Sequence, residues 1–562
     1  MPSVLPKNMP PTFDLPRVGA DALLAGAARA YPDRVALRDG EETLTFPELY
    51  DAALRVAGGL RRRGLEPGDV LALHMPNSHW YLAVYYGALC AGIAVAPINP
   101  GQPVGALRDQ LRDCGAKAVV THPANAAPLA EATGPGVGFV VQIPGTAASP
   151  APEGTGPLAP GFISLDDLLA EAPLEGYRPD PELVAHLQFT GGTTGRSKAV
   201  RVLHRNLVAN VLQTGCWRSA TLPSLDEPGG VRVTRIEDPA PKTITPGEGT
   251  HIAIAPLFHG LGLVGHNLNT LLGTTSVITG GRFDPDGFLR DIETYRVTHM
   301  TGSPAMYYGM LRSKELGRRD LSSVRMITSG AAPIDTSALL ALREAIPSAS
   351  VTEGYGLSEA TMGLTMSPHG ADTPTPLGSV GVAIPHTEIE IRHPVGERAL
   401  PVGEVGEVWA RGPQVTDGYQ DEPELTAIQF VNGWLRTGDL GHLDDNGYLY
   451  LVGRAKDMLI YKGYNIYPQP LEELLCSHPA IAQAAVIGRP RPDVGEIPVG
   501  IVVLRPGAAR EGLALELMDY VAERVAPYQR VREVQVVDVL PLTPTGKVLK
   551  TALRDRLDAP RG

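Results

Sequence analysis

Residues 187–200 read LQFTGGTTGRSKAV, an apolar run that passes into glycines, threonines and a single lysine. Glycines let backbone N–H groups approach an anion closely, while threonine hydroxyls and the lysine ammonium add further donors. The stretch therefore predicts a buried strand ending in a polyphosphate-binding loop; a solvated turn between a strand and a helix is the alternative. A Walker loop is excluded, because Arg196 and Ser197 separate Gly195 from Lys198. The predicted phosphate contacts are Thr190, Gly191, Gly192, Thr193, Thr194, Gly195 and Lys198.

Length and composition limit the number of domains, the partners and the location that are to be expected. A chain of 562 residues exceeds what one hydrophobic core usually supports, so at least two domains are expected. The formal net charge of −12 argues against a nucleic-acid partner and means that a nucleotide has to meet local positive charge. The four cysteines lack CxxC spacing, which predicts neither a disulfide framework nor a zinc site and favours a reducing, cytoplasmic location.

Two stretches bear on membrane attachment. Residues 1–20 are interrupted by prolines, and we expect a loosely ordered arm rather than a signal peptide or an anchor. The most apolar stretch, residues 80–97, is punctuated by Gly87 and Gly92 and ends at Pro97. It predicts a buried helix running into a strand rather than a transmembrane segment.

Between residues 177 and 356, runs of strand-forming residues alternate with helical patterns, which is typical of a parallel sheet covered by helices. Four runs end at or pass into stretches that contain small residues: HIAIAPL into 258–260 (FHG), VTHMTG into 303–304 (SP), VRMITSG into 331–333 (AAP) and SVTEGYG into 357–359 (LSE). Open α/β sheets bind ligands at the carboxyl ends of their strands, where small residues leave space. The sequence predicts a sizeable cleft there; the alternative for any single run is that Gly or Pro merely ends a strand.

Five ordered motifs resemble those of the adenylate-forming superfamily of acyl- and aryl-CoA synthetases, luciferases and peptide-synthetase adenylation domains. They are TGGTTGRSKAV for phosphates, GYGLSEA for adenine and magnesium, WLRTGDLG for ribose, GRAKDMLIYKGYNIYP for a hinge and PLTPTGK for a C-terminal lysine. The resemblance covers nearly the whole chain, and PLFHGLGL resembles the CoA-ligase branch. It implies an α/β fold: a large N-terminal domain of parallel sheets covered by helices, with a β-subdomain, and a small mobile α+β C-terminal domain.

The resemblance also implies a two-step reaction. A carboxylate attacks the α-phosphate of ATP, giving acyl-AMP and pyrophosphate, and the thiol of coenzyme A then displaces AMP. Because both reactants of the first step are anions, donors and positive charge have to be in place in advance. By similarity Glu359 would hold Mg²⁺, unless it pairs structurally with an arginine, and Lys547 would bridge the carboxylate and the α-phosphate. The residues implied in catalysis are Lys547, Thr194, Glu359, His259 and Lys456.

The remaining contacts follow from the same resemblance. Adenine would lie between Tyr355 and residues 330–333, and the ionised carboxylate of Asp439 suits two ribose hydroxyl donors, although a turn-stabilising role is the alternative. The implied nucleotide contacts are Gly330, Ala331, Ala332, Pro333, Gly354, Tyr355, Gly356, Ser358, Asp439 and Arg454. The acyl pocket is expected near Val264, Ser303, Gly330 and Gly356. The route of CoA is expected along His259, Lys462, Gly463 and Tyr464, with a purely structural His259 as the alternative.

The implied domains are the arm 1–20, a large domain 21–453 and a small domain 454–562 that rotates about Lys456. One orientation would present Lys547 for adenylation and the other the Lys462–Tyr464 face for thioester formation. An ordinary linker lysine is the alternative for Lys456. Within the small domain, the pattern predicts a helix over residues 471–477 and strands near 484–487 and 499–504.

Three stretches depart from the family pattern. Ser197 and Ala199 stand where relatives usually carry Pro and Gly, and Ala199 predicts a changed loop if a positive φ is needed there. Pro470 replaces a usual Glu at the start of the C-terminal helix. Residues 219–249, rich in Pro, Gly, Asp and Glu, predict a long irregular connection, most simply a passive insertion, otherwise a lid or docking surface.

The leading hypothesis is an ATP-dependent acyl-CoA synthetase for a hydrophobic carboxylic acid. One alternative is a half-reaction specialist, which thioesterifies a supplied acyl-adenylate or loads an acyl carrier protein. A non-catalytic acyl- or nucleotide-binding protein is the second alternative. The expected partners are small molecules, without nucleic acid, and the chain is expected to be a monomer or homodimer.

Overall fold

The computed structural model describes residues 5–154, 158–190, 197–280, 283–368, 375–394, 397–462, 464–542 and 548–558. Seven predicted contacts lie outside the described residues: Gly191, Gly192, Thr193, Thr194, Gly195, Gly463 and Lys547. The remaining predicted site residues all have described positions, so the arrangement of the cleft follows from them.

The helices lie against the faces of several sheets. They are α1 (Asp21–Ala30), α2 (Phe46–Arg62), α3 (His79–Cys90), α4 (Val104–Asp113), α5 (Ala126–Ala132), α6 (Asp166–Leu169), α7 (His204–Ser219), α8 (Gly260–Leu271), α9 (Pro285–Thr294), α10 (Pro304–Arg312), α11 (Thr336–Ala345), α12 (Pro423–Gln429), α13 (Pro468–Cys476), α14 (Leu513–Ala522) and α15 (Lys550–Asp558). Short 3₁₀ helices include Ser358–Ala360 and Ala455–Asp457.

The strands alternate with these helices along the chain. The first group is β1 (Val35–Asp39), β2 (Glu42–Thr45), β3 (Val70–His74), β4 (Ala94–Pro97), β5 (Ala116–Thr121), β6 (Phe139–Gln142), β7 (Ile163–Ser164), β8 (Val184–Thr190) and β9 (Lys198–Leu203). The second is β10 (Thr221–Leu225), β11 (Val231–Arg235), β12 (Thr250–Ala253), β13 (Thr275–Ile278), β14 (His299–Gly302), β15 (Met326–Ser329), β16 (Ser350–Tyr355), β17 (Thr365–Met366) and β18 (Val382–Ala383). The third is β19 (Glu388–Arg392), β20 (Gly406–Arg411), β21 (Phe430–Val431), β22 (Trp434–Leu443), β23 (Leu449–Arg454), β24 (Leu459–Tyr461), β25 (Tyr464–Ile466), β26 (Ile481–Arg491), β27 (Gly495–Leu504) and β28 (Glu533–Val537).

The sheet that positions the cleft has the strand order β18-β17-β16-β15-β14-β12-β13-β1-β2. Strands β12, β14, β15 and β16 are parallel neighbours, as the sequence predicts. Side chains alternate between the two faces of a strand. Ile252, Met300 and Ile327 belong to a hydrophobic cluster that also includes residues of α9, α10 and α11, which leaves the flanking residues of each strand for the opposite face.

A second sheet, ordered β7-β6-β5-β3-β4-β8-β9, holds the predicted phosphate-loop strand β8. Its partner across residues 191–196 is the antiparallel strand β9 rather than a helix. The apolar stretch 80–97 forms α3 and β4, as predicted, and both are buried in the main core. None of the described helices has the length and apolar character that crossing a membrane requires.

The predicted irregular connection at residues 219–249 is instead partly regular. Strands β10 and β11 form an antiparallel hairpin, whose turn is fixed where Asp226 accepts a hydrogen bond from the Gly230 N–H (2.7 Å). Asp226 also pairs with Arg29 of α1 (2.8 Å). The Pro and Gly residues therefore mark the turn, while the alternating sequence VRVTR supplies a strand. The hairpin packs on α1, which favours a structural role over a lid.

The C-terminal sheet has the order β25-β24-β27-β26, with β28 parallel to β27. The predicted helix and both predicted strands are present as α13, β26 and β27. Pro468 and Pro470 lie in the first turn of α13, where a missing N–H leaves no intrahelical hydrogen bond unmade. Ion pairs from Lys550 to Glu472 (2.6 Å) and from Arg554 to Asp457 (3.0 Å) hold α15 against this unit.

Candidate functional site

A cavity of about 500 Å³ lies at the carboxyl ends of β12, β14, β15 and β16 and continues beneath α8. Twelve predicted site residues line it: Thr190, Lys198, His259, Gly330, Ala331, Gly354, Tyr355, Gly356, Ser358, Glu359, Arg454 and Lys456. Seven described ones do not: Val264, Ser303, Ala332, Pro333, Asp439, Lys462 and Tyr464. The cleft predicted from the four strand ends is thus present, and the predicted residues that line it come from separate stretches of the chain between Thr190 and Lys456.

Asp439 connects two of the lining residues although it lies behind them. Tyr355 donates its hydroxyl hydrogen to Asp439 Oδ2 (2.7 Å), and Arg454 Nε lies 3.0 Å from Asp439 Oδ1. Asp439 of β22 and Arg454 of β23 are directly opposite each other in the antiparallel ladder, which explains their contact. The Asp439 carboxylate raises the pKa of Arg454, so the guanidinium is charged at neutral pH. This group can hold a vicinal diol through one acceptor and one donor.

A second polar group surrounds Glu359 in the 3₁₀ helix after β16. Tyr419 donates its hydroxyl hydrogen to Glu359 Oε1 (2.7 Å), and Lys198 Nζ lies 5.6 Å from the centre of the Tyr419 ring. Backbone pairing explains this placement, because Gln420 N–H donates to Ala199 C=O (2.8 Å) beside the Val200–Tyr419 bridge. Carboxylate, phenol and ammonium groups therefore meet on one wall of the cavity.

The two ends of the phosphate-loop stretch are held together before and after the residues that lie outside the described part. Thr190 and Lys198 are opposite each other in the β8–β9 ladder, and the Ser197 hydroxyl donates to Thr190 C=O (2.6 Å). Ala199 lies within β9 and has no positive φ. The change from Gly to Ala at this position therefore imposes no backbone strain, contrary to the doubt raised by the sequence.

Two small residues of the cleft, Ala331 and Gly356, stand where the backbone conformation or a close chain approach restricts side-chain size. Ala331, after β15, has φ +68°, a left-handed conformation that costs an L-residue about 1 kcal/mol. Gly356 lines the cavity, but a Cβ on it would lie only 1.7 Å from the carbonyl oxygen of Met362. Its lack of a side chain thus permits a close chain crossing, rather than chiefly enlarging an acyl pocket as the sequence suggested.

Helix α8 decides which apolar residues reach the cavity. His259 caps its N-terminus, with Nδ1 accepting from the Leu261 N–H (3.4 Å). Leu261 and Leu268 line the cavity, being seven residues apart and hence on one helical face. Val264, which was predicted for the acyl pocket, is fully buried in the main core and does not line the cavity. Ser303 holds the N-cap position of α10 and does not line the cavity.

The predicted CoA-route residues of the C-terminal sheet lie away from the cavity. Lys462 follows β24 and donates its N–H to Val494 C=O (2.7 Å). Tyr464 is 57% exposed, and its ring stacks on that of Tyr528 with centroids 4.7 Å apart. Lys456, by contrast, lines the cavity, where burial and then the Arg454 charge lower its pKa.

The inner end of the cavity contains an arginine that the sequence analysis did not single out. Arg218, at the end of α7, is only 7% exposed and lines the cavity. Its Nη1 donates to Thr301 Oγ1 (3.2 Å), while its Nε is buried without a hydrogen-bond partner among the described residues. Burial lowers the pKa of Arg218 to about 10, so the guanidinium is charged at neutral pH.

Three buried histidines surround this end of the cavity. His251 and His299 are opposite each other on β12 and β14, with ring centroids 5.4 Å apart. His299 Nε2 lies 2.8 Å from Asn269 Oδ1, whereas His251 Nδ1 has no hydrogen-bond partner among the described residues. Burial lowers the pKa of His251 and of His266 to about 3, so both rings are neutral at neutral pH. They can thus donate or accept one hydrogen bond at each nitrogen.

Glu353 of β16 is an acidic residue close to two others, Asp335 and Glu473 of α13. Burial, and then the neighbouring Glu473 and Asp335, raise the pKa of Glu353 to about 7 against the opposing hydrogen bond from Ile334 N–H. An unfolded glutamate ionises near pH 4.5, so the native state binds more protons between about pH 4.5 and pH 7. Stability is consequently lost as pH rises through that window and is fully present below it.

Replacing Glu353 by glutamine is expected to remove this loss. The free energy of unfolding should rise by about 2 kcal/mol at pH 8 and change little at pH 5, because only the ionised carboxyl is penalised. Thermal unfolding at both pH values measures the difference. The exposed Glu344→Gln on α11 is the matched control. Equal shifts for both variants at pH 8 would show that burial of Glu353 carries no ionisation penalty.

Comparison with known proteins gives a family of nucleotide-binding enzymes, which agrees with the cleft described above. The family model described as AMP-binding enzyme matches residues 24–420, and that described as AMP-binding enzyme C-terminal domain matches residues 470–547. The 4-coumarate–CoA ligase of Pinus taeda is 32% identical over 535 residues, covering 94% of this chain and 93% of that protein. The long-chain-fatty-acid–CoA ligase of Bacillus subtilis is 32% identical over 572 residues, covering 98% and 96%.

The fold comparison extends to a solved structure with nucleotide. ATP-bound MatB from Rhodopseudomonas palustris has a TM-score of 0.82 and 28% sequence identity, covering 96% of this chain and 99% of that one. The match of both family models, together with these full-length relatives, accounts for the large sheets and for the smaller C-terminal unit. The chain therefore belongs to the adenylate-forming superfamily, in its branch of AMP-forming acid–CoA ligases.

Proposed function

We propose that this chain activates a carboxylic acid as its acyl-adenylate and transfers the acyl group to coenzyme A. The observation that carries the proposal is that one cavity joins the Tyr355–Asp439–Arg454 group to Glu359 and Lys198. The first group suits a ribose diol, and the second suits a polyphosphate with its cation. The acid would lie further in, against Leu261, Leu268 and Met362, which supports an acid with an apolar body.

In the first step, one oxygen of the acid attacks the α-phosphorus of ATP, and the bond to the bridging oxygen of pyrophosphate breaks. Lys198 lies where its charge would offset the phosphates, and Arg454 holds the nucleotide through the ribose. Thr194 and Lys547 keep their proposed roles at the phosphates and the reacting carboxylate by resemblance. In the second step the CoA thiolate attacks the acyl carbon and AMP leaves, its phosphate taking the electron pair.

Mg²⁺ is held in proteins by one or two carboxylates together with substrate phosphates. Glu359 fits that requirement, because it lines the cavity and uses one carboxylate oxygen for the hydrogen bond from Tyr419. We assign Glu359 as the protein ligand of the cation. When bound, Mg²⁺ would neutralise phosphate charge; the protein's part is to fix the carboxylate through the Tyr419 hydroxyl.

Glu359→Gln is expected to lower the adenylation rate by about 100-fold, because a neutral amide binds a hard cation weakly. The Mg²⁺ concentration for half-maximal pyrophosphate release should rise at the same time. Tyr419→Phe is the matched variant: it keeps the carboxylate and removes only one hydrogen bond, so its effect should be near tenfold. A Mg²⁺ profile in Glu359→Gln that equals the parent profile would reject the assignment.

The overall activity is tested with purified protein, ATP, Mg²⁺, CoA and a panel of acids. We expect AMP and an acyl-CoA to form in equal amounts. Acid-dependent exchange of pyrophosphate into ATP tests the first step separately. Pyrophosphate exchange without formation of any thioester would indicate an acyl-AMP ligase that uses another acceptor, such as an acyl carrier protein. Thioester formation only from a supplied acyl-AMP would identify a half-reaction specialist.

We also propose that the segment after Arg454 is the hinge of the small domain. Strand β23 runs to Arg454, and Lys456 lies in the 3₁₀ helix Ala455–Asp457 between β23 and the C-terminal sheet. A rotation there would exchange the groups that surround the α-phosphate between the two steps. In this orientation Lys462 and Tyr464 are away from the cavity, which fits their proposed use in the other one.

A further inference from the structure

The buried guanidinium of Arg218 is not explained by adenylation or by CoA transfer. No carboxylate in the described part of the chain pairs with it, and its single hydrogen bond goes to the neutral hydroxyl of Thr301. Burying an unpaired charge costs several kcal/mol, and such groups in proteins are normally paired. A ligand that brings a negative charge into the cavity would remove this cost.

The sheet face beneath this guanidinium carries polar side chains at matching positions of three adjacent strands. His251 on β12, His299 and Thr301 on β14 and Thr328 on β15 all line the cavity. Their register places His251 opposite His299 and Thr301 opposite Thr328, so the polar side chains form one continuous patch. A pocket for a purely hydrocarbon chain needs apolar residues at these positions, as the opposite face of the same strands has.

We propose that the acid carries a second carboxylate at the end remote from the reacting one, and that Arg218 binds it with help from His251 and Thr301. The substrate class is thus a dicarboxylic acid that is activated at one end only. The inference rests on the proposed function for the reacting end. Arg218 lines the cavity and supplies the planar donors that match a carboxylate.

The position of this patch sets the size of the acid. Reaction takes place near the carboxyl ends of the strands, whereas His251 and His299 lie near their beginnings. At about 3.3 Å per residue, the stretch of strand that ends at Ser303 is roughly 7 Å long from Thr301 and roughly 13 Å long from His299. An extended aliphatic chain between the carboxylates, as in suberic or sebacic acid, is therefore a better match than a very short diacid. Terephthalic acid tests a rigid alternative.

The test compares acids in matched pairs. Suberic acid is paired with octanoic acid, sebacic with decanoic, and terephthalic with para-toluic acid, so that each pair differs chiefly by the distal carboxylate. We expect the parent enzyme to show a kcat/KM for the preferred diacid at least about tenfold above that of its partner. In Arg218→Met the value for the diacid should fall about 100-fold, largely through KM, and the preference should reverse.

Arg218→Lys is the conservative variant and should recover part of the diacid preference, since it keeps the charge without the planar donors. Direct binding gives a readout that does not need turnover. Suberate should raise the melting temperature of the parent protein more than octanoate does, and this difference should vanish in Arg218→Met. Thr301→Val, which removes only one hydroxyl, should weaken diacid binding by about tenfold.

The outcomes separate this inference from the proposed function. Thioester formation from monocarboxylic acids, with diacids neither bound nor used, would overturn the inference and leave the ligase activity in place. Arg218-dependent binding of a diacid without any AMP formation would support the inference and contradict the proposed activity. If Arg218→Met does not fold, the preference of the parent enzyme within the acid pairs decides: equal or inverted preference rejects the second carboxylate.

Discussion

Asp439→Asn should lower kcat/KM for ATP by about 100-fold, corresponding to roughly 3 kcal/mol. The substitution removes the charge that pairs with Arg454 Nε at 3.0 Å and weakens the acceptor of the Tyr355 hydroxyl at 2.7 Å. Arg454 then keeps its charge without its partner, and the cavity-lining residues Tyr355 and Arg454 lose the carboxylate that holds them. Initial rates of pyrophosphate release over a range of ATP concentrations measure the loss, which should occur mainly in KM.

Tyr355→Phe is the control for this result. It removes one hydrogen bond of Asp439 and leaves the Asp439–Arg454 ion pair intact, so a decrease near tenfold is expected. The melting temperature of both variants shows whether the fold is retained. An unchanged dependence on ATP in a folded Asp439→Asn protein would show that this group does not hold the nucleotide.

The second large effect concerns the division between the two half-reactions. Lys547→Ala should slow acyl-AMP formation by about 1,000-fold, because an oriented positive group at the transferring phosphate is lost. Transfer of CoA to preformed acyl-AMP should change far less. Lys456→Pro should act in the opposite sense, since proline fixes φ in the segment Ala455–Asp457 and disfavours rotation about it.

Two separate assays are needed. Pyrophosphate exchange follows the first half-reaction, and thioester formation from a synthetic acyl-adenylate follows the second. Lys456→Ala is the matched variant for proline, because it removes the ammonium without restricting the backbone. Equal losses in both assays for Lys547→Ala and Lys456→Pro would contradict a rotating domain.

Sequence patterns predicted the sheet well because it depends on local features. The four predicted runs are adjacent parallel strands. Asp439 and Arg454, both predicted as ribose contacts, are directly opposite each other in one ladder. Motif order, however, does not show which side chains of a helix reach the cavity. Val264 was assigned to the pocket, but it is buried in the main core, whereas Leu261 and Leu268 line the cavity.

The residues that were missed come from parts of the chain without a motif. Arg218 stands in the last turn of α7, where a basic residue is favoured for the helix dipole and suggests nothing else. Only the hydrogen bond to Thr301 of β14 and the burial of Arg218 in the structure reveal that its guanidinium is enclosed. Tyr419 likewise reaches Glu359 through backbone pairing with β9. The alternation of His and Thr in HIAIA and VTHMTG was the available signal for a polar cavity face.

Arg454 is followed after a single residue by Lys456, so the proposed contact to the ribose and the proposed hinge belong to one short segment. A bound nucleotide would hold that segment at its first residue and so fix the proposed axis of rotation of the C-terminal unit. Departure of AMP would release the proposed hinge. Release of AMP and the return of the small domain to the adenylation orientation would then be coupled directly through this segment.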